Sequence, residues 1–267
     1  MRLLPFTLAV FFLVAGCAKQ QNADKSVKGK VLLAVFAHPD DETTVTPVLS
    51  KYASQGADVF LAIATDGRYG VTAHAGIPAG DSLAATRARE LNCAAETLGI
   101  NPPILFGLHD QFKMQGGYDS VHRQLDEFRI KVRNLFERLR PDAVITWGPS
   151  GWSGHHDHRL VGAVVTEVFE SQRWGKPVQL FYPSIPTGKI PTQATGYATT
   201  DSSYLDVKIT ASELDYERAR ASLQCHQSQY TSEVMEQMRG MISAALGKTT
   251  WFRSYQGALQ TETLFNR

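Results

Sequence analysis

Two clusters of polar residues in this chain carry the side chains with which proteins bind metals and move protons. The first is Ala-His-Pro-Asp-Asp-Glu at residues 37–42, and the second is Gly-His-His-Asp-His at residues 154–158. A hydrolytic zinc site needs three ligands from His, Asp or Glu and leaves one position open for water. His38 and Asp41 offer one nitrogen and one oxygen, and His158 offers a second nitrogen from a distant segment. Such a set leaves the cation net positive, which lowers the pKa of water from about 15.7 towards about 7.

Three further residues of the two clusters suit proton transfer. Asp40, beside an activated water, is a candidate general base. His155, if it stays protonated, would polarise a carbonyl oxygen and later donate a proton to a leaving amine. Asp157 is a candidate partner that holds one of the histidines in the right tautomer. Together these residues predict metal-assisted hydrolysis of an amide.

Each cluster taken alone also has a simpler explanation. His-Pro-Asp at the end of a strand is commonly a polar turn whose Asp satisfies backbone donors. The His-rich cluster alone is compatible with a solvated loop or an adventitious metal binder. Because both clusters follow predicted strands of one domain, a shared site is favoured over two unrelated features.

The segments around the clusters alternate between strand and helix patterns. Residues 31–37 form an unbroken apolar run, typical of a strand buried on both faces, and His38 follows its carboxyl end. Strands are predicted at 31–37, 59–64, 103–106, 142–147, 178–182 and 205–209. Helices are predicted at 47–55 with Thr46 as cap, 82–98, 118–140, 158–170, 212–229 and 232–246, and loops at 69–81 and 183–200. This alternation predicts an α/β fold, a three-layer α/β/α sandwich with a mostly parallel, Rossmann-like sheet.

Both clusters resemble the signature blocks of the LmbE-like and PIG-L-like zinc-dependent N-deacetylases. The resemblance spans residues 29–246, with weaker matches at Thr65-Asp66-Gly67, Arg87, Glu90, His226 and Ser228-Gln229. It implies that His38, Asp41 and His158 are zinc ligands, Asp40 the catalytic base, His155 the oxyanion-polarising residue and Asp157 the acid that orients it. It also implies an N-acetylated amino sugar as substrate. Ser153 stands where some members have a Tyr that stabilises the oxyanion, which leaves that donor open.

Two more residues are candidates for substrate binding. Arg68 follows the second predicted strand and suits a hydrogen bond to a sugar or an anionic group, although a surface arginine is an equal alternative. Asp110 matches a family position that contacts sugar hydroxyls, although a turn residue is the alternative there.

The main hypothesis is therefore a zinc-dependent deacetylase of an N-acetylglucosaminyl-type conjugate, in which iron or cobalt are possible replacements for zinc. The rival hypothesis is a membrane-anchored binding protein that retains the metal site to hold a sugar or cell-wall fragment. A pure binder has no use for a general base, so Asp40 favours the enzyme.

Length and composition agree with one compact enzyme domain. The chain has 267 residues, of which 43% are apolar, enough for a single α/β domain. The net charge is 27 − 26 = +1, so the basic surface of a nucleic-acid-binding protein is not expected.

The amino-terminal residues are predicted to serve export. Arg2 precedes an apolar stretch at residues 3–14, which is typical of a signal peptide at residues 1–16. The sequence Leu-Val-Ala-Gly-Cys ending at Cys17 looks like a bacterial lipobox, and an ordinary secretory signal with an incidental Cys is the alternative. Residues 17–30 would then be a lipidated Cys and a flexible tether, and residues 31–267 one deacetylase domain. We expect an exported bacterial lipoprotein, anchored on the periplasmic face or the outer membrane of a cell that has one.

Two more cysteines, Cys93 and Cys225, remain in the predicted domain. Cys93 lies in a helical pattern, where a buried thiol is the default. An oxidising compartment also permits a disulfide, and the sequence does not decide between the two.

Overall fold

The computed structural model describes residues 27–175, 179–190, 196–257 and 261–265. The predicted signal peptide, the predicted lipidation site Cys17 and most of the predicted tether lie outside the described residues. Of the last four residues of that tether, Val27 and Lys30 contact the domain, whereas Lys28 and Gly29 are exposed. Val27 belongs to the hydrophobic core, and Lys30 Nζ lies 3.2 Å from Asp142 Oδ1.

The described residues form one eight-stranded, mostly parallel sheet. Its strands are β1 (Val31–Phe36), β2 (Asp58–Thr65), β3 (Ile104–Leu108), β4 (Ala143–Ile145), β5 (Gln179–Pro186), β6 (Thr199–Thr200), β7 (Val207–Thr210) and β8 (Thr249–Ser254). The strand order is β3-β2-β1-β4-β5-β8-β7, with β6 paired to β5. The pairs among β1 to β5 are parallel, whereas β8 runs antiparallel to both β5 and β7. The predicted edge strand at 205–209 is β7, and the strand predicted at 178–182 continues through Pro186.

Helices cover both faces of the sheet, as the sequence pattern predicts. They are α1 (Thr46–Ser54), α2 (Asp81–Leu98), α3 (Tyr118–Leu139), α4 (Gly151–Gly154), α5 (His156–Glu170), α6 (Glu213–Leu223) and α7 (Ser232–Leu246). Helices α1, α2 and α6 pack against one another, and α3 packs against α5. None of the helices in the described ranges has both the length and the apolar character needed to cross a membrane.

The two motif clusters meet where the strand order reverses. Strand β1 has β2 on one side and β4 on the other, so the chain after β1 and the chain after β4 leave the sheet side by side. Ligands of open α/β sheets bind in the crevice that such a reversal creates. The first cluster follows β1, and the second lies between β4 and α5.

The loop predicted at 183–200 contains the end of β5 and all of β6, and three other local predictions also differ from the structure. The predicted helix 212–229 ends at Leu223, because the next residues turn to make long-range contacts that outweigh their helical pattern. Thr46 is the first residue of α1 rather than its cap, since a 3-10 turn directly precedes the helix. Cys93 is solvent-exposed rather than buried, and it forms a disulfide with Cys225.

Gly162 lets α5 approach the end of β4 closely. A Cβ atom at this position would overlap the backbone carbonyl of Trp147. We therefore expect Gly162→Ala to lower the free energy of unfolding by about 1–3 kcal/mol, as overpacking does. Chemical denaturation measures this, with Gly240→Ala in α7 as control, because a Cβ there meets nothing within 4 Å. Equal stability of Gly162→Ala and wild type would contradict the close approach.

Candidate active site

The carboxylate of Asp41 is held at the carboxyl end of β1 by three N–H donors. Its Oδ2 accepts hydrogen bonds from the backbone N–H groups of Ala37 and His38, both at 2.9 Å, and from Trp147 Nε1 at 3.2 Å. Its Oδ1 faces His158 Nε2 at 3.1 Å. Burial alone would raise the pKa of Asp41, but the imidazoles of His158 and His38 hold that pKa well below its ordinary value. Asp41 is therefore an anion presented to two histidines.

His158 reaches this carboxylate from the first turn of α5. Its Nδ1 lies 2.9 Å from the carbonyl oxygen of Gly151, so in the neutral ring Nδ1–H donates and Nε2 presents its lone pair to Asp41. The ring stacks on Trp147, with centroids 4.6 Å apart and planes 13° apart. Tautomer and orientation are thus both set, as a metal ligand requires.

His38 is surrounded by three carboxylates. Its Nε2 lies 3.0 Å from Asp157 Oδ2 and 3.3 Å from Asp110 Oδ1, and its Nδ1 lies 3.8 Å from Asp41 Oδ2. Burial would lower the pKa of His38, but these carboxylates raise it well above its ordinary value. With the Nε2 proton directed at Asp157, Nδ1 faces the Asp41 side, where it can bind a cation.

These residues fit a divalent cation such as zinc. Donor atoms of His38, His155 and His158 lie within 4.8 Å of one another, and Asp41 borders the same space. Imidazole nitrogens with one carboxylate are a ligand set typical of catalytic zinc. The lone pair of His158 and the anionic oxygen of Asp41 face each other, so a cation between them satisfies both. The three ligands predicted from sequence are thus brought together, with His155 also within reach.

Asp40 combines an unusual backbone conformation with two donors on its carboxylate. Its φ of 107° lies in the left-handed region, which residues with a side chain rarely adopt. Arg87 Nη2 donates to Oδ1 at 2.9 Å, and the Tyr230 hydroxyl donates to Oδ2 at 3.0 Å. Burial raises the pKa of Asp40, although the charge of Arg87 opposes the increase. A raised pKa improves a carboxylate as proton acceptor, in keeping with the role predicted for Asp40.

His155 differs from the sequence-based expectation in its protonation. Its Nδ1 accepts a hydrogen bond from the backbone N–H of Asp157 at 3.2 Å. Burial and the nearby charge of His38 lower the pKa of His155. The structure therefore favours a neutral ring with its proton on Nε2, where the sequence predicted a cation. A neutral Nε2–H still donates to a carbonyl oxygen.

The carboxylate of Asp157 contacts His38 and His156 rather than the expected His155. It is fully buried, and its Oδ2 lies 3.0 Å from His38 Nε2 and accepts from the backbone N–H of Gln111 at 2.9 Å. The expectation that this carboxylate orients His155 is therefore corrected. His155 is oriented by the backbone N–H of residue 157, and the carboxylate sets the tautomer of His38.

The two predicted substrate contacts have different surroundings. Arg68 pairs with Asp66 at 2.6 Å and with Asp81 at 3.1 Å, and it is not among the described residues that line the cavity. The surface alternative therefore describes Arg68 better. Asp110 does line the cavity, but its oxygens accept from the backbone N–H groups of Tyr69 and Gln111, both at 2.8 Å. Burial opposes ionisation of Asp110, but His38 and these two donors lower its pKa.

A cavity of about 440 Å³ opens over these groups, within the usual size range of ligand sites. The residues that line it include the predicted metal ligands with Asp40 and His155. Much of the remaining wall is aromatic or aliphatic and includes Trp152, Tyr197, Leu223 and Trp251. The cavity therefore suits a ligand with one polar reacting group and a larger apolar-faced body.

The model of the family described as "PIG-L: GlcNAc-PI de-N-acetylase" matches residues 33–169, about half of the chain. The chain belongs to the PIG-L family. The matched segment contains both motif clusters and their intervening helices, so the predicted family resemblance is confirmed.

Curated relatives of this PIG-L family chain include a deacetylase. This chain is 35% identical over 161 residues to a 1D-myo-inositol 2-acetamido-2-deoxy-alpha-D-glucopyranoside deacetylase from Rhodococcus erythropolis. The match covers 55% of each protein. The chain thus spans about half the length of that curated relative.

Solved structures show the same fold at low sequence identity. The N,N'-diacetylchitobiose deacetylase of Pyrococcus horikoshii has a TM-score of 0.62 and 18% identity, with 84% of this chain and 83% of that chain covered. The 4-carboxy-2-hydroxymuconate hydratase of Pseudomonas putida has a TM-score of 0.60 and 16% identity, with 88% and 99% covered. Because these two enzymes differ in reaction, the α/β fold alone does not determine the chemistry.

Sequence reasoning gave no role at this site to Tyr230. Tyr230 contacts Asp40 from outside the segment that matches the family model. The predicted helix at 212–229 was too long, and a helix that continues through residue 229 does not predict a contact between Tyr230 and the residues that follow β1. The neighbouring Cys225 and His226 were the available signals, since a paired cysteine and a buried histidine both mark long-range contacts.

The contact between Asp157 and His38 leads to a prediction about metal affinity in this PIG-L site. Asp157→Asn replaces an anion beside His38 Nε2 with a neutral amide. The imidazole then loses the negatively charged group that fixes its tautomer. We expect zinc affinity to fall about 10–100-fold, as for other partners of metal-ligating histidines. Competition with a chromophoric chelator measures it, with the exposed Asp58→Asn as control. Unchanged affinity in Asp157→Asn would rule out this role.

Proposed function

We propose that this protein hydrolyses the N-acetyl group of an N-acetylglucosaminyl-type conjugate with the help of a bound divalent cation, zinc first among them. The observation that carries the proposal is the convergence, in one cavity, of a metal-ligand set with Asp40 and His155. The printed substrates of the Rhodococcus and Pyrococcus relatives support an acetylated amino sugar.

In the proposed mechanism, His38, Asp41 and His158 would hold the cation. When bound, it supplies Lewis acidity that lowers the pKa of a nearby water towards neutrality. Asp40 takes a proton from that water as its oxygen attacks the acetyl carbonyl carbon.

His155 acts on the oxygen of the reacting carbonyl in this proposal. Its Nε2–H donates to the carbonyl oxygen as negative charge develops there. The proton held by Asp40 then passes to the nitrogen, the C–N bond breaks, and acetate and a free amine remain. Trp152, Tyr197 and Trp251 line the cavity, and we propose that the sugar ring stacks on one or more of these aromatic side chains.

Acetate release tests the proposal. Purified protein, stripped of metal and then reloaded with zinc, iron or cobalt, is incubated with a panel of N-acetylated glycans and glycolipids. We expect release from N-acetylglucosaminyl members, loss of release with a chelator, and recovery on reloading. Binding of glycans without release in every metal form would instead support the rival sugar-binding protein.

We further propose export and lipidation at Cys17. The disulfide between Cys93 and Cys225 supports an oxidising compartment, where such bonds persist. Metabolic labelling with a palmitate analogue should mark the wild type and leave Cys17→Ser unlabelled. Equal labelling of the two would contradict lipidation at this residue.

A further inference from the structure

Residues 225–230 form a short segment that contacts the side chain of Asp40 and is here called the support segment. It begins two residues after α6 ends at Leu223. Its first residue, Cys225, forms a disulfide with Cys93 of α2, with Cα atoms 5.8 Å apart. Its last residue, Tyr230, donates its hydroxyl to Asp40 Oδ2 at 3.0 Å. The segment thus connects a covalent crosslink to the proposed base.

Helix α2 holds the support segment at a second point. Glu90 of α2 accepts from the Ser228 backbone N–H at 2.7 Å and from the Ser228 hydroxyl at 2.6 Å. The same helix supplies Arg87, which donates to the other carboxylate oxygen of Asp40. Both oxygens of Asp40 are therefore bound by groups whose position depends on α2.

The backbone of Asp40 is connected to the support segment as well. Glu42 Oε2 accepts from the Asp40 backbone N–H at 3.0 Å, and Glu42 Oε1 lies 2.6 Å from His226 Nε2. The negative charge of Asp40, followed by burial, raises the pKa of Tyr230, so the phenol stays protonated and remains a donor.

We propose that Tyr230 is a positioning residue for Asp40, and that the Cys93–Cys225 disulfide keeps Tyr230 in place for that role. The inference rests on the proposed function, in which Asp40 is the base. Two donors on opposite oxygens set the plane of the carboxylate, and misplacing a reacting group by about 1 Å costs on the order of 100-fold in rate. A residue that only positions the base affects turnover rather than substrate or metal binding.

Tyr230→Phe tests the first half, because it removes the hydroxyl and keeps the ring. We expect kcat to fall about tenfold, the loss typical of one hydrogen bond to a charged group. KM should stay within about twofold, because the lost hydroxyl positions the base and does not bind the substrate. Metal content per chain should not change. The control is Tyr255→Phe, which removes a surface hydroxyl that donates to Glu170. An unchanged kcat in Tyr230→Phe, or a loss that appears mainly in KM, overturns the proposal.

A double-mutant cycle tests the second half. The Cys93→Ser, Cys225→Ser double variant should lower kcat severalfold in the wild-type background and by less than about twofold in Tyr230→Phe, because coupled groups are not additive. Should that variant not fold, wild type reduced and alkylated under native conditions replaces it. If removing the disulfide lowers kcat by the same factor in the wild-type and Tyr230→Phe backgrounds, the disulfide does not act through Tyr230.

Crystal structures of wild type and Tyr230→Phe give a readout that does not need activity. We expect the Asp40 carboxylate to leave its position between Arg87 and residue 230 in the variant, or to occupy more than one rotamer. An Asp40 that stays in place refutes positioning by Tyr230. Absence of hydrolysis by wild type would refute the proposed function instead, so the two failures are distinguishable.

Discussion

Asp40→Asn is expected to lower kcat about 10³-fold, within the range that general acid–base groups contribute. An asparagine amide cannot take the proton from the attacking water at neutral pH, although it has nearly the same shape. The side chains of His38, Asp41 and His158 are unchanged, so the metal content should equal that of wild type. Turnover of an N-acetylated glycan, measured beside metal content per chain, gives both quantities.

The matched control for this variant is Asp126→Asn. Asp126 is an exposed carboxylate of α3 that, like Asp40, is paired with an arginine, here Arg129. Asp126 is not among the residues that line the cavity, so its replacement by asparagine should leave turnover unchanged. Turnover of Asp40→Asn within about tenfold of wild type would show that another group takes the proton.

His226→Gln is expected to destabilise the protein by about 3–5 kcal/mol, because it removes one partner of a buried ion pair. His226 and Glu42 are both fully buried, with His226 Nε2 2.6 Å from Glu42 Oε1. A glutamine leaves the carboxylate of Glu42 without a counter-charge. Urea denaturation at constant pH measures the loss, and a loss below about 1 kcal/mol would contradict the pairing.

The same pair predicts how stability depends on pH. Burial would lower the pKa of His226, but Glu42, with Asp40 and Glu90, raises it above the ordinary value of 6.5. A histidine whose pKa is raised by folding binds more protons in the folded than in the unfolded state. Its stabilisation is complete below pH 6.5 and is lost as pH increases through the raised pKa.

Denaturation between pH 6.5 and roughly pH 9, on the alkaline side of the unfolded pKa, tests this linkage. The unfolding free energy of wild type should fall through this window, and the fall should be smaller in His226→Gln. The control is His122→Gln, since His122 is exposed and contacts the hydroxyl of Tyr118. Identical slopes in wild type and His226→Gln would show that this histidine does not titrate differently on folding.

Much of the fold could be read from sequence because its signals are local. The apolar run before His38 predicts a doubly buried strand, and β1 occupies almost the same residues. The apolar spacing of residues 118–140 predicts a helix, and α3 ends within one residue of that range. Periodicity failed at residues 224–229, where a disulfide and the buried His226 take the chain out of the helix.

The sequence by itself determined which atoms are available at the site and at which edge of the sheet they lie. His38, Asp40 and Asp41 follow directly from β1, so their location needs only the local rule that buried strands end in turns. Their partners were decided by tertiary structure alone. Asp157 contacts His38, and Tyr230 reaches Asp40 across 190 residues of chain. Such contacts depend on how α5, α2 and the support segment pack around the sheet, which is a property of the whole folded chain rather than of any short stretch of sequence.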